Sequence, residues 1–312
     1  MYKYGVVILN YNSACDTATA VQSVRECASD SYFIQIVDNN SPDKNTRNIL
    51  NTLICDNVDV KYLDTNKGYA YGNNVGFKLI KGQIEYLVIM NPDVKLVKKN
   101  CIEQLISEIE NEPTEVVGAQ PLVWTQSVDK KKEYQVNVRK VYSTFDCLIE
   151  SCFVLRKLFS HLIDKVVYRA EMPYKTPFMF QVPSGAFFLI DANTFDNIDG
   201  FDTNTFLYFE EVIIGKKLES LGKKFVFRPD IYVIHEQGKS TASTSKRVNQ
   251  ISYDYETDSV AYYMKTYCGA SKNIVHIYRK IRNFDYRIRK LKYKYDDHIL
   301  QRKHKENAGE IS

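Results

Sequence analysis

The side chains able to do chemistry are spread along the 312-residue chain rather than gathered in one run. Asp38-Asn39-Asn40-Ser41 is a cluster of hydrogen-bonding groups that could read a ribose or a base edge. The same residue types also make a turn and cap a following helix. The segment Asn66-Lys67-Gly68-Tyr69-Ala70-Tyr71-Gly72-Asn73-Asn74 brings glycines, a cation and a helix start together, which suits an anion such as phosphate. It has neither the G-K-[ST] of a P-loop nor the G-x-G-x-x-G of a dinucleotide fold. Asn91-Pro92-Asp93 holds a carboxylate in a stiff turn, where it could ligate a hard cation that bridges phosphates, or simply shape the turn. Glu210-Glu211 follows the aromatic run Phe206-Leu207-Tyr208-Phe209. Successive helix residues differ by about 100°, so one carboxylate would face a cleft while the other braces. Acidic residues in a first helical turn also answer the helix dipole. His235 is a candidate ligand or a core histidine, followed by Glu236-Gln237-Gly238-Lys239-Ser240.

These positions need elements to hold them. Strand-like runs at Tyr4–Leu9, Phe33–Val37, Val58–Leu63 and Tyr86–Met90 alternate with helical patterns at Thr17–Cys27, Lys44–Cys55 and Ala70–Lys81. Nearly all-apolar strands alternating with helices predict a parallel sheet covered on both faces. Ligands of such sheets bind beyond the carboxyl ends of the strands. Asn10, Asp38, the residues from Asp64 to Gly68, and Asn91 to Asp93 fall at those ends. From about Thr125 to Thr176 the periodicity weakens and predicts a variable insertion with some helix. A compact pattern resumes with a strand at Ala186–Ile190, a turn at Asp199-Gly200, a helix from Glu210 to about Gly222, and strands at Lys224–Phe227 and Ile231–Ile234. At the tail, Ile274, Ile277, Ile281, Phe284, Ile288, Leu291 and Tyr295 form a heptad seam on a basic helix.

Composition bounds the class. Apolar residues make up 44% and charged residues 26%, an ordinary globular mixture. The net charge of +4 is too balanced for a nucleic-acid partner. It hides an asymmetry: Lys272 to Lys305 holds 12 Lys/Arg against 3 Asp, a local +9, so the other residues sum to −5. No run approaches the roughly 20 apolar residues of a membrane span. The start, MYKYGVVILN, runs straight into a strand without a secretory pattern. Seven cysteines without a C-x-x-C pair predict reduced thiols and a cytoplasmic protein.

Taken in order, V-V-I-L-N-Y-N (6–12), V-D-N-N-S (37–41), N-K-G-Y-A-Y-G-N-N-V-G (66–76), N-P-D-V (91–94), S-G-A-F-F-L-I (184–190), G-F-D (200–202), F-L-Y-F-E-E (206–211) and H-E-Q-G-K-S (235–240) resemble the family 2 glycosyltransferases. The closest likeness is to the rhamnosyltransferase-like branch that builds bacterial surface polysaccharides. The resemblance covers about residues 1 to 245. It implies a GT-A fold, with a Rossmann-like, mostly parallel central sheet flanked by helices, and a basic helical C-terminal extension at 246–312. The nucleotide-sugar half would span about 1–124 and the acceptor-side half about 125–245. It also implies inverting transfer from a UDP-hexose or dTDP-rhamnose donor to a hydroxyl of a growing, lipid-linked surface glycan, with Mg²⁺ or Mn²⁺.

By the same resemblance Asn10, Tyr11, Asp38, Asn66, Gly68, Asn73 and Asn91 line the nucleotide, Asp93 and His235 hold the metal, and Glu211 is the base with Glu210 as second candidate. Two departures stand out. The family's Glu-Asp pair is Glu-Glu here, and Asn91 replaces the first carboxylate of its D-x-D motif. A catalytically decayed protein that binds nucleotide sugar or glycan without transfer is the alternative. The tail has three readings: an anionic membrane surface at the inner face of the membrane, a homodimer, or packing back on the domain.

Overall fold

The computed structural model describes residues 1–126, 132–134, 138–168, 175–236 and 249–309, with the side chains of 126, 132–134 and 293–309 left aside. Strand β1 (Tyr2–Asn10) sends Val6 and Ile8 to one face of the sheet and Val7 to the other, all fully buried. A strand dry on both faces needs helices on both. Helices α1 (Ala14–Cys27) and α2 (Asn45–Asn51) cover the Val6 face, and α3 (Tyr69–Ile80) covers the Val7 face. Strands β2 (Tyr32–Asp38), β3 (Val58–Tyr62) and β4 (Ile84–Met90) complete the parallel order β3-β2-β1-β4. Helix α2 is shorter than expected. Its last carbonyls are taken up by Thr52 and Leu53, and a Cys55–Val58 bridge tightens the entry to β3.

Beyond β4 the sheet becomes mixed. The next elements are β5 (Val94–Leu96), α4 (Cys101–Asn111), β6 (Val116–Gln126), β7 (Lys132–Tyr134), α5 (Thr144–Glu150), α6 (Phe153–Leu158), α7 (Ser160–Val166) and β8 (Phe178–Phe180). They are followed by β9 (Phe187–Asp191), α8 (Ala192–Asn197), α9 (Glu210–Ser220) and β10 (Lys224–His235). Strand β9 runs antiparallel between β4 and β6, while β10 lies parallel to β6 and antiparallel to β5 and β8. The expected parallel sheet therefore describes the first four strands, and the second half combines antiparallel pairs with the parallel β6–β10 pair. The two strands expected at 224–227 and 231–234 are one. Its register with β6 shifts between Arg228 and Tyr232, around Pro229, which has no N–H for the ladder. The expected helix in the insertion is present as α5 to α7, and α5 opens with a Ser143/Asp146 capping box.

Helices α10 (Gln250–Thr266) and α11 (Lys272–Gly309) close the molecule. The tail packs back through only part of its apolar seam: Ile274 packs against the cluster around Tyr263 and Tyr278, and Ile281 and Ile288 are half-buried. Ile277, Phe284 and Leu291 are 51%, 58% and 66% exposed, whereas Tyr278, Arg282 and Asp285 are buried. Tyr295 belongs to the side chains left aside. A polar network explains the choice of face. Asp285 accepts hydrogen bonds from the Tyr253 hydroxyl (2.9 Å), the Phe153 N–H (2.9 Å) and Arg289 Nε (2.6 Å). Arg282 donates to Thr257 Oγ1 (3.0 Å) and Glu256 Oε2 (2.6 Å), with its guanidinium 3.7 Å from the Tyr253 ring centre. Each buried charge finds partners, the condition under which such a network holds two helices in one register. Around it Ile213 of α9, Tyr263 and Met264 of α10, Tyr278 of α11 and Tyr142 share one apolar cluster.

Burial alone would raise the Asp285 carboxyl, but the Phe153 N–H, Arg289 and Tyr253 hold it below the ordinary carboxylate range. Its stabilising contribution is therefore full above the unfolded value of about 4 and is lost as pH falls through the lower folded value. Asp285→Ala should cost about 3 kcal/mol in urea unfolding at pH 7. The gap to wild type should narrow at pH 3; a constant gap would exclude the charge as its source.

Candidate active site

Asn10 and Asp38 end neighbouring strands in register. Asn10 Nδ2 donates to Asp38 Oδ1 (2.7 Å), and its Oδ1 accepts from Thr17 Oγ1 (2.8 Å). Asp38 also accepts from the Ser41 hydroxyl (2.6 Å) and N–H (3.1 Å). The Asn10 side chain is thus spent on fixing the Asp38 turn, and Tyr11 beside it is exposed. Asn39, part of the same hydrogen-bonding cluster in the sequence, joins this turn to the next loop. Its Nδ2 donates to Asn66 Oδ1 (2.9 Å) and the Gly68 carbonyl (3.2 Å). Asn66 Oδ1 in turn accepts the Gly68 N–H (2.9 Å). Asn73 lies one turn into α3 and donates to the Tyr69 carbonyl (3.0 Å).

Gly68 has φ +93°, and a Cβ there would fall on the Phe206 carbonyl. That carbonyl accepts the Tyr69 N–H (2.9 Å), so the 66–69 loop sits directly on the loop before α9. This second loop carries strain. Tyr208 and Phe209 have φ +72° and +73°, a region costly for bulky residues. Helix α10 props it: Phe206 stacks on Tyr255 (4.4 Å between centroids), Phe209 packs edge-on against Tyr263, and Ser259 Oγ donates to the Leu207 carbonyl (3.0 Å). The loop delivers the two carboxylates differently. Glu210 is 1% exposed, with its Oε1 buried and without a hydrogen-bond partner, whereas Glu211 is half-buried.

The strip Ser184-Gly185-Ala186 ties the parts together. The Ser184 N–H donates to the buried Gln120 Oε1 (2.6 Å). The Gly185 carbonyl accepts from the Tyr69 hydroxyl (2.8 Å), and the Ala186 carbonyl accepts the Asn91 N–H (2.9 Å). A Cβ on Gly185 would fall on Glu211 Oε1. On the far side of Asn91, Asp93 and His235 meet with Oδ1 and Nε2 3.1 Å apart, both nearly dry, and His235 Nδ1 is buried without a hydrogen-bond partner. Strand pairing sets this contact: His235 lies opposite Val94 in the β10–β5 ladder, and the Asp93 carbonyl accepts the Glu236 N–H (2.9 Å). Gln237-Gly238-Lys239-Ser240 lie outside the described residues.

The electrostatics are those of a crowded acidic pocket. Burial pushes the Glu210 carboxyl well above the ordinary range, and the charge of Glu211 adds to it. Burial also raises Glu211, partly offset by backbone N–H donation and by the Arg139 guanidinium. The Tyr69 phenol is raised by burial and then by Glu211, Glu210 and Asp93, so one hydroxyl senses all three carboxylates. Arg139 is held by paired backbone bonds to Val182, just before the strip (3.1 and 2.9 Å). It lies in the insertion, where no sequence pattern singles it out. Gly185 and Tyr69 stood inside motifs but carry functions only the contacts reveal.

Among the described residues no group of three or more His, Cys, Asp or Glu gathers to hold a metal. The donors available are the Asp93–His235 pair. Two protein ligands suit a hard cation that draws its remaining oxygens from phosphates and water.

A family model described as glycosyl transferase family 2 matches residues 5–188, more than half of the chain. The chain belongs to this family. Its fold is the GT-A arrangement of a central sheet flanked by helices. The structure of GalNAc-T7 with UDP, GalNAc and Mn²⁺ superposes with a TM-score of 0.60 at 16% identity, covering 96% of this chain. This chain spans 58% of the length of that one. The mannosyltransferase PcManGT from Pyrobaculum calidifontis, in complex with GDP-Man and Mn²⁺, gives 0.52 at 12% identity, covering 92% of this chain and 85% of its own. No curated protein matches the sequence significantly. The matches do not single out a rhamnosyltransferase-like branch.

Two glycines should separate fold from site geometry in this member of the family. Gly185→Ala pushes only the end of the flexible Glu211 side chain, so the Tm should stay near wild type while turnover falls by about a hundredfold. Gly68→Ala meets backbone at a positive φ and should cost about 1–3 kcal/mol. Glu210, raised by burial, penalises the folded state increasingly as pH rises above about 4. Glu210→Gln should accordingly raise the Tm at pH 8 and lose that gain near pH 4; a lower Tm at both would show that the carboxylate is structurally required.

Proposed function

We propose that the protein is a metal-dependent inverting transferase. It moves a sugar from a nucleotide-diphosphate donor, UDP-hexose or dTDP-rhamnose, to a hydroxyl of a growing, lipid-linked surface glycan. The observation that carries this reading is the two-sided strip at 184–186. It sets the accessible carboxylate of Glu211 on one side and, through Asn91, the Asp93–His235 pair on the other. The Mn²⁺ and nucleotide contents of GalNAc-T7 and PcManGT support the metal and the donor class, and the motif resemblance supports the surface-glycan acceptor.

The residues have separable tasks in this reading. The Asp38 turn, with Asn10, Tyr11 and Asn39 behind it, receives the base and ribose, while Asn66, Gly68, Asn73 and Asn91 follow the ribose and diphosphate. Asp93 and His235 would hold Mg²⁺ or Mn²⁺, which when bound neutralises charge on the diphosphate leaving group. Glu211 accepts the proton of the acceptor hydroxyl as that oxygen bonds to the anomeric carbon and the bond to the diphosphate breaks on the opposite face. Its raised proton affinity suits a base working near neutral pH. Glu210, more deeply buried and unpartnered at Oε1, braces rather than reacts. In-line placement of donor and acceptor supplies much of the remaining acceleration.

Calorimetric titration of UDP and dTDP with Mn²⁺ and with EDTA tests the donor site. One nucleotide should bind only with metal, and Asp93→Ala should weaken it at least tenfold; unchanged affinity in that variant would remove Asp93 from the ligand set. Glu211→Gln should keep donor binding and lower kcat by about 10²–10⁴. Should Glu210→Gln do so instead, the bracing and reacting carboxylates are exchanged.

A further inference from the structure

We infer that the exposed stripe of α11 is a docking surface for an anionic lipid bilayer. At about 100° per residue, Ile277, Phe284 and Leu291 repeat along one line of the helix, turned away from the Tyr278–Arg282–Asp285 face that packs on α10. Lys280 and Arg287 follow stripe residues by three, one step around the surface. Arg279, Arg282 and Arg289 are paired with Asp258, Glu256 and Asp285. No carboxylate among the described residues is paired with Lys280, Arg287 or Lys290. The one acidic residue between Lys272 and Lys292 is Asp285, which is fully buried. The outward face is therefore apolar along its centre and cationic at its edge.

A second exposed element has a similar composition. None of the six residues of α6 is buried, and its sequence Phe-Val-Leu-Arg-Lys-Leu repeats the mixture of apolar and basic side chains. Phe153 and Leu158 are 42% and 69% exposed. The Phe153 N–H bonds to the buried Asp285, so α6 meets α11 on its packed face, about 100° around the helix from Phe284. Among the described residues no helix is long and apolar enough to cross a membrane. An apolar stripe with a basic margin is the pattern of a helix that lies in the headgroup region, where anionic lipid complements the Lys and Arg. A second copy of the chain would set the same cations against each other, which disfavours a symmetric dimer through this face.

The test uses the full chain and co-sedimentation with phosphatidylcholine vesicles, alone and mixed with phosphatidylglycerol. The mixed vesicles should carry the protein down, less so as salt rises, and the pure phosphatidylcholine vesicles should not. Phe284→Ser with Leu291→Ser should lower partitioning at least tenfold. Lys280→Gln and Arg287→Gln should each lower it about fivefold. All four positions are on the surface, so metal-dependent nucleotide binding serves as the check that these variants are folded. Absence of partitioning at low salt would overturn the inference, as would variants that partition like wild type. A dimer in sedimentation velocity that Phe284→Ser with Leu291→Ser dissolves would overturn it in favour of a second copy.

Discussion

A side chain at position 185 and the carboxylate of Glu211 would need the same space, and the geometry of the site is arranged around that exclusion. The backbone at 184–186 must stay bare on one side so that the carboxylate can lie against it. Its carbonyls must face the other way, to receive the Tyr69 hydroxyl and the Asn91 N–H. Gln120, fully buried on β6, fixes the strip through Ser184. Three segments far apart in sequence therefore share one reference. A movement of the strip would shift the glycine loop, the Asn-Pro-Asp turn and the Glu-Glu helix together.

The site is held in this state against considerable local cost. Two consecutive aromatic residues occupy the left-handed backbone region, and two adjacent carboxylates are partly or wholly removed from water. Each is unfavourable alone, and together they make the 206–211 segment the least self-sufficient part of the chain. The opposing contributions come from outside: aromatic packing by Tyr255 and Tyr263, a hydrogen bond from Ser259, and the seating of Gly68 on the Phe206 carbonyl. Such stored strain is common where a reacting group has to be presented in one orientation.

What the sequence revealed follows from what periodicity can encode. The first four strands and three helices were legible because alternation and apolar runs report burial directly, and burial on two faces implied parallel pairing. Strand direction in the second half was not, because β9 and β10 have the same apolar character whether they run with or against their neighbours. The seam of α11 was legible only in part for a related reason. Hydrophobic spacing at 277, 284 and 291 looks like an interface, while the residues that pack, Arg282 and Asp285, look like surface until Tyr253, Thr257 and Glu256 appear opposite them. At the site, the strand-end argument singled out Asn10, Asp38, the residues from Asp64 to Gly68 and Asn91 to Asp93, while the Glu pair and His235 stood out by residue type. Gln120 and Arg139 act through partners distant in sequence, which no local pattern contains.

The support of the 206–209 loop by α10 also bears on the order in which the molecule can be made. Tyr255, Ser259 and Tyr263 leave the ribosome about fifty residues after the loop they support. The first four strands and the glycine loop are complete well before then. A nascent chain can therefore settle those strand ends while Glu210 and Glu211 are still unplaced. The two carboxylates take up their positions only after α10 is available to pack on the strained segment.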